Sequence, residues 1–338
     1  MNINICLVGG GNLTHAIAGF LGAKNNVKIN ILTRKPELWS KEILVTSDST
    51  KLVSHINLIT NDTNRAVTDT DIVLLCLPGF AIKETLEKIK PFIGSSTKVG
   101  SVVSSTGFFF EALDILPKDI SLFGFQRVPF IARTIEYGKS AKILGDKKEL
   151  KIAIERDNNK EDLRSTIEYL FEKPTILLEN HFAVSLSNSN PLLHTSRLYT
   201  MFNNDKVLYD KNPLFYADWT DEASEVLIQM DKEFFLILDK CNVKQGIVPI
   251  LEYYESYDKH SLTNKLRSIK AFKSILSPMI ETQGKYKIDW NSRYFTEDFP
   301  FGLKYIYDLA HKYDIPVPTI DKVYLWGVKM IAKNKNKA

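Results

Sequence analysis

Residues Ile3 to Phe20 read INICLVGGGNLTHAIAGF, and the parsing of this stretch decides the fold. Ile3, Ile5, Leu7 and Val8 make a short apolar strand that ends on glycine, and from Asn12 the pattern turns helical. Gly9, Gly10 and Gly11 between them permit positive φ and let the backbone approach a bound group closely. A strand, a glycine turn and a helix start aim free N–H groups and the positive end of the helix dipole at whatever lies over the glycines. A dinucleotide pyrophosphate suits that place. Gly9 and Gly11 match the first two glycines of G-x-G-x-x-G, while Thr14 stands at the third, small enough for the helix to pack on the strand. A strand-turn-helix without a ligand has the same local pattern, so the neighbouring sequence has to decide.

Working outward, Val27 to Thr33 (VKINILT) reads as a second strand, so strand, helix and strand fill the roughly thirty residues of one βαβ unit. Asp69 to Pro78 contains TDIVLLCLP, an apolar run ending at proline, as expected of a strand buried on both faces of a parallel sheet. Further apolar runs at Lys98 to Ser104, Ile120 to Phe125, Ala141 to Leu144 and Thr175 to Leu178 alternate with helical segments such as Ile82 to Ile89. The alternation predicts an α/β fold whose N-terminal part, residues 1–180, is a Rossmann-type doubly wound sheet that binds NAD(P). Gly9, Gly10, Gly11, Asn12 and Leu13 are expected at the pyrophosphate, with Leu77 and Pro78 covering the nucleotide at the carboxyl end of their strand. An NAD site usually offers Asp or Glu about twenty residues past the glycines. Here that place reads Leu32, Thr33, Arg34, Lys35, with no carboxylate before Glu37. Thr33 and Arg34 suit a 2′-phosphate, which favours NADP(H) over NAD(H); solvated loop charges would read the same way.

At 338 residues the chain has the length of two ordinary domains, and 44% hydrophobic with 25% charged residues is the balance of a soluble globular protein. Cys6, Cys76 and Cys241 lack C-x-x-C spacing, which fits reduced thiols in the cytoplasm and argues against a disulfide frame or a zinc site. No metal is expected. Met1 to Val8 lacks the basic start of a signal peptide, and no run reaches the length of a membrane span. A net charge of +4 gives no reason to expect nucleic acid, and the lysine-rich end from Lys329 to Lys337 reads as a frayed, solvated tail. RDNNKED, Arg156 to Asp162, reads as a loop.

After Asn180 the strand signals fade. Asp221 to Lys240 carries Ala223, Val226, Leu227, Met230, Phe234, Ile237 and Leu238 at helical spacing, with Thr220 or Asp221 to cap it. Val248 to Glu255, Asn264 to Leu276, Gly302 to Tyr313 and Ile320 to Ile331 add helices, so residues 181–338 are expected to form an all-helical substrate and catalytic domain. A cleft between the two domains is the expected substrate site. In SNSNPLLHTSR, Ser187 to Arg197, Pro191 opens a helix and puts His194 in its first turn, where an imidazole can act as general acid or base. A satisfied structural histidine is the alternative. RYFTEDFPFGL places Arg293, Glu297 and Asp298 before Pro300 and Gly302; the fork of Arg293 suits a substrate carboxylate, and a carboxylate near His194 would fix its tautomer. A helix-capping acid cluster with an ion-paired arginine is the alternative there. Asn190 and Trp219 join the substrate-site candidates, with Tyr216 and Glu222 beside them; helix packing would account for these aromatics equally well.

The chain resembles the octopine/nopaline (opine) dehydrogenase family over almost its whole length. The likeness rests on GGGNLTHAIAG (Gly9 to Gly19), DIVLLCLPG (Asp71 to Gly79), QRVPFIAR (Gln126 to Arg133), NPLLH (Asn190 to His194), DWTDEAS (Asp218 to Ser224) and RYFTEDFPFGL, the last being the most specific. The resemblance implies that a nucleotide-binding domain is joined to an α-helical one, that His194 is the catalytic acid/base, and that Arg293 and Asp298 serve substrate binding and the polarity of the histidine. It implies NAD(P)H-dependent reductive condensation of an amino acid's amine with a 2-oxo acid such as pyruvate, through an imine, and a partner list of small molecules, with a homodimer allowed. One departure is visible: Thr195 follows His194 where many relatives carry proline. Two rival readings are a simple 2-oxo acid reductase like the ketopantoate reductases, which needs no amine, and a nucleotide-binding sensor without catalysis.

Overall fold

The computed structural model describes residues 2–204, 206, 208–243 and 245–335, the last by its backbone alone. The chain divides into two compact units, Met1–Ser185 and Leu186–Ala338. The division falls a little past residue 180 because the short helix Phe182–Ser185 stays bound to the first unit. Gln126 Nε2 donates to the Ala183 carbonyl at 3.0 Å, and a Glu155 carboxylate oxygen accepts from the backbone N–H of His181 at 3.0 Å.

The strands of the first unit are β1 (Ile3–Val8), β2 (Val27–Leu32), β3 (Glu42–Thr46), β4 (Lys51–His55), β5 (Leu58–Thr60), β6 (Ile72–Leu75), β7 (Lys98–Ser101), β8 (Ser121–Phe125), β9 (Phe130–Glu136), β10 (Ser140–Asp146), β11 (Leu150–Glu155) and β12 (Thr175–Leu177). Its helices are α1 (Asn12–Gly22), α2 (Thr63–Val67), α3 (Gly79–Ile89), α4 (Phe108–Ile115), α5 (Lys160–Phe171) and α6 (Phe182–Ser185). An eight-stranded sheet has the order β12-β11-β8-β7-β6-β1-β2-β5 and is parallel except where β11 meets β8. From β1 the chain winds outward through β2 and β5, returns to β6 beside β1, and winds the other way through β7 and β8. At this switch point the connections leaving two neighbouring strands diverge and open a crevice at the strands' carboxyl ends. The all-apolar β6, buried at every position, is the strand that needs cover on both faces.

Ala141 to Leu144 is a strand, but it belongs to β10 in a separate four-stranded sheet of order β4-β3-β10-β9. Strands β3, β4 and β9 carry no apolar run longer than three residues; β9 (FIARTIE) alternates between buried and exposed positions at its start, because only one face of this sheet is covered. The covering element is α1, which packs on the second sheet as well as on β1 and β2. That double contact explains the small residues of the quoted stretch: Ala16 and Ala18 are fully buried, and a Cβ on Gly19 would stand 2.1 Å from the Val45 side chain. RDNNKED is a loop only as far as Asn159, whose side chain caps α5 by accepting from the Asp162 N–H.

The second unit holds α7 (Asn190–Phe202), α8 (Asp221–Lys240), α9 (Ile250–Tyr253), α10 (Lys259–Ser268), α11 (Arg293–Thr296), α12 (Lys304–Lys312) and α13 (Pro318–Lys335). It also carries a small hairpin, β13 (Met279–Thr282) with β14 (Lys285–Ile288), closed by Gln283-Gly284 at positive φ. The expected helix at Asn264 to Leu276 lies earlier, as α10 followed by a single 3₁₀ turn, because Asp258 builds a capping box with Ser261. Thr220 caps α8 by accepting from the Ala223 N–H at 3.3 Å. Two acids of α8 reach sideways: Glu233 accepts from the N–H groups of Thr319 and Ile320 at 3.0 and 2.9 Å and so caps α13, and Asp231 accepts from the Ile250 N–H at 2.9 Å. The lysine-rich end is helical through Lys335 and not frayed there; residues 336–338 lie outside the described residues.

Candidate active site

The crevice between β1 and β6 is a cleft of about 570 Å³ lined by Gly9, Gly10, Gly11, Thr33, Arg34, Leu77 and Pro78. Gly9 sits at φ +129°, where an added Cβ would stand 2.8 Å from the Cys76 carbonyl oxygen, so only glycine lets the two strand ends come this close. Gly11 opens α1 without a side-chain cap, and no acid stands in the first turn, which leaves the positive helix end for an anion. The far wall adds Lys35, Lys88 and Glu84, with Glu84 paired to Lys88 at 2.5 Å. Shape and donors fit a dinucleotide whose pyrophosphate lies on the glycine turn.

Asn12 and Leu13 do not line this cleft. The Asn12 side chain accepts from the Thr134 N–H at 2.9 Å and ties α1 to β9, while Leu13 packs against the core. Sequence reading missed Tyr137, which reaches the cleft from the turn between β9 and β10; a Cβ on Gly10 would be 2.5 Å from its hydroxyl. His15 holds that turn in place. Its Nδ1–H donates to the Gly11 carbonyl at 2.8 Å, its Nε2 accepts from the Gly138 N–H at 2.7 Å, and its ring stacks on Trp39 at 4.1 Å. The contact from Gly138 requires the neutral imidazole, and burial pushes the His15 pKa below its ordinary value against the Gly11 carbonyl, which raises it. The advance signal was the Tyr137-Gly138 pair, legible as a hairpin turn had β9 been recognised beside the strand at Ala141 to Leu144.

In the second unit, Pro191 stands in the first turn of α7, and His194 follows on the next turn. His194 Nδ1 is 2.8 Å from Asp298 Oδ2, and its Nε2 is 2.9 Å from the Tyr216 hydroxyl. A carboxylate accepts only, so Nδ1 carries the hydrogen and Nε2 is the nitrogen left to exchange a proton. The two side chains are 12% and 17% exposed, enough shielding for their interaction to count. Asp298 begins a wide turn, Phe299–Leu303, in which the Leu303 N–H reaches back to the Asp298 carbonyl at 2.7 Å. Gly302 lets that turn dock on α7, since a Cβ there would be 2.5 Å from Pro191 Cγ. This docking is what brings together residues so far apart in sequence. The ring of Tyr294 packs edge-on to His194 at 4.7 Å.

Arg293 is one turn away but its fork is already engaged, with Nε and Nη2 on the two Glu297 oxygens at 3.0 and 2.9 Å and 83% of its side chain exposed. Asn190 is the exposed first residue of α7. Trp219 does not line a substrate site. It is fully buried, donates to Ser224 Oγ at 3.0 Å, and lies parallel to Tyr216 at 6.0 Å. Thr195, where many relatives of the resembled family have proline, is buried with its hydroxyl turned back to the Pro191 carbonyl, away from His194.

A glycine turn at the switch point of a doubly wound sheet, with an acid-backed histidine in a following helical unit, defines a nicotinamide-dependent oxidoreductase. Residues 177–331 match the α-helical domain of NAD/NADP octopine/nopaline dehydrogenase, and residues 4–118 match the N-terminus of NAD-dependent glycerol-3-phosphate dehydrogenase. Octopine dehydrogenase of Mizuhopecten yessoensis is 26% identical over 98% of this chain and 91% of its own, and tauropine dehydrogenase of Arabella iricolor is 28% identical over the same shares. A solved octopine dehydrogenase with NADH and L-arginine superposes with a TM-score of 0.84 at 25% identity, covering 98% of this chain and 90% of that one. The chain belongs to the octopine/nopaline dehydrogenase family, NAD(P)-dependent oxidoreductases that act on CH–NH groups. Among the described residues no cluster of His, Cys, Asp and Glu forms a metal site, and no helix is long and apolar enough to cross a membrane.

Proposed function

We propose that this enzyme joins the amine of an amino acid to the carbonyl carbon of a 2-oxo acid such as pyruvate and reduces the resulting imine to a secondary amine. The observation that carries the reading is His194 held at Nδ1 by Asp298, which leaves Nε2 for proton transfer. Hydroxide leaves the carbinolamine poorly unless it is protonated, and His194 Nε2–H supplies that proton, then recovers one when the next amine adds. Asp298 keeps the imidazole in the tautomer that does this and stabilises its charged form. Arg293 offers a bidentate grip to a substrate carboxylate, which must compete with Glu297 for the fork. The glycine turn and Tyr137 hold the dinucleotide, whose nicotinamide supplies the hydride when bound. NADP(H) is the proposed preference, supported by Arg34, Lys35 and Lys88 around the cleft and by the lack of an acid at the end of β2. A cytoplasmic setting is proposed from the unbridged thiols of Cys6 and Cys76.

The test follows NADPH and, separately, NADH absorbance with pyruvate and a panel of L-amino acids, omitting each substrate in turn. Oxidation that needs both amine and oxo acid supports the reading. Oxidation with the oxo acid alone makes the protein a simple reductase.

A further inference from the structure

Resting on that reading, we propose that Tyr216 is a positioning residue of the proton-transfer unit, the group that keeps Nε2 of His194 hydrogen-bonded in both of its protonation states. The nitrogen required for chemistry has a neighbour in the folded chain, the Tyr216 hydroxyl, 2.9 Å from it. A hydroxyl is the one neutral side-chain group suited to both states: it donates to Nε2 of the neutral ring and, by rotating its O–H, accepts from Nε2–H of the charged ring. With Asp298 on Nδ1, the imidazole then keeps a partner on each nitrogen throughout a turnover and has no reason to rotate.

The placement of Tyr216 is over-determined, more than core packing alone demands. Its ring is 4% exposed and lies parallel to Phe272 at 4.2 Å and to Trp219 at 6.0 Å. The loop that carries it is pinned at four backbone points. Arg197, itself 4% exposed, donates to the Phe215 carbonyl at 3.1 Å and the Asp218 carbonyl at 2.5 Å. Arg267 Nε donates to the Trp219 carbonyl at 2.8 Å, and Asp218 Oδ2 accepts from the Leu214 N–H at 2.9 Å. Burying an arginine to hold two carbonyls of one loop is costly, and the side chain so presented is the one on Nε2. Burial pushes the Tyr216 phenol far above its ordinary pKa, with Tyr294, Tyr254 and Asp298 raising it further, so it stays a hydroxyl.

The experiment compares Tyr216→Phe, which keeps the ring stack and removes the hydroxyl, with His194→Ala, by steady-state kinetics, NADPH titration by fluorescence, and thermal melting. Tyr216→Phe is expected to lower kcat about 10- to 100-fold with KM for the oxo acid and NADPH Kd within about twofold. The alkaline limb of the kcat profile for imine formation and reduction should move to lower pH, because the hydroxyl's bond to the charged ring, lost in the variant, is stronger than its bond to the neutral ring. A purely packing role would leave that limb in place. Wild-type kcat and pH profile in Tyr216→Phe, beside an inactive His194→Ala, overturns this inference alone. Full activity in His194→Ala overturns the functional reading and the inference with it. Should Tyr216→Phe not fold, 3-fluorotyrosine at 216 keeps the ring and makes the phenol more acidic. Movement of the kcat profile then supports the role, and an unmoved profile refutes it.

Discussion

Gly302→Ala is expected to damage catalysis from a position that touches no substrate. The methyl would sit 2.5 Å from Pro191 Cγ and 3.0 Å from its Cβ. Carbon atoms normally rest about 3.5–4.0 Å apart, so the turn carrying Asp298 and the start of α7 must separate by about 1 Å. Overpacking of this size costs roughly 1–3 kcal/mol, or a fall in melting temperature of about 3–9 °C for a unit this large. The hydrogen bond between His194 and Asp298, 2.8 Å long, spans the same junction. Opened by about 1 Å it passes the limit at which a hydrogen bond survives. Turnover should therefore fall about 10- to 100-fold, toward that of Asp298→Asn, while NADPH Kd is unchanged because the cleft lies in the other unit. Gly94→Ala, with nothing within 4 Å of the new methyl, is the control and should leave both quantities alone. A Gly302→Ala protein that melts early but keeps wild-type kcat would refute the claim that this docking sets the pair.

Asp231 is 8% exposed and burial pushes its carboxyl up to about 6 from an ordinary 3.8, although the Ile250 N–H lowers it somewhat. A carboxyl raised in the folded state withdraws stability as pH climbs from the unfolded value through the folded one, a penalty on the order of 3 kcal/mol above about pH 6. Asp231→Asn keeps the acceptor and drops the charge, so urea unfolding should show it more stable than wild type at pH 8 and equal to it near pH 3.5; equal gains at both would contradict the assignment. His15, lowered in the folded state, gives full stability above its ordinary 6.5 and loses it as pH falls below that. His15→Phe should lose about 1–3 kcal/mol at pH 8, with the Gly138 N–H left unpaired, bind NADPH more weakly, and lose the acid-linked part of the decline. An unchanged NADPH Kd would sever the link between this latch and the cleft. Arg293→Lys should raise KM for the oxo acid about tenfold yet shift stability by less than about 1 kcal/mol, since its ion pair with Glu297 is exposed; an unchanged KM removes Arg293 from substrate binding.

Much of the first unit was legible because strands of the main sheet write themselves as apolar runs, most fully β6, buried at every position: β1, β2, β6, β7, β8 and β12 all lie within stretches read as strands, while β5 and β11 of the same sheet were missed. Sheets covered on one face only do not, and β3, β4 and β9 passed unnoticed, taking with them the turn that brings Tyr137 to the cleft. Among the substrate-site candidates the split follows the same line. His194 and Asp298 were findable as residue types beside Pro191 and Gly302, but Trp219 looks the same in a sequence whether it lines a pocket or, as here, lies fully buried against Tyr216.

By itself, then, the sequence determined the elements: a strand ending on three glycines, a helix of small residues after it, and long amphipathic helices in the second half. These follow from local periodicity and backbone freedom, which neighbouring residues alone impose. Only the tertiary structure decided the partners. That Asp298 takes Nδ1 of His194 and Tyr216 takes Nε2, that Glu297 holds the fork of Arg293, and that His15 locks a hairpin over the glycine turn all depend on side chains meeting across packed surfaces. Hydrogen bonds act over about 3 Å, a scale that chain separation does not encode and only packing sets.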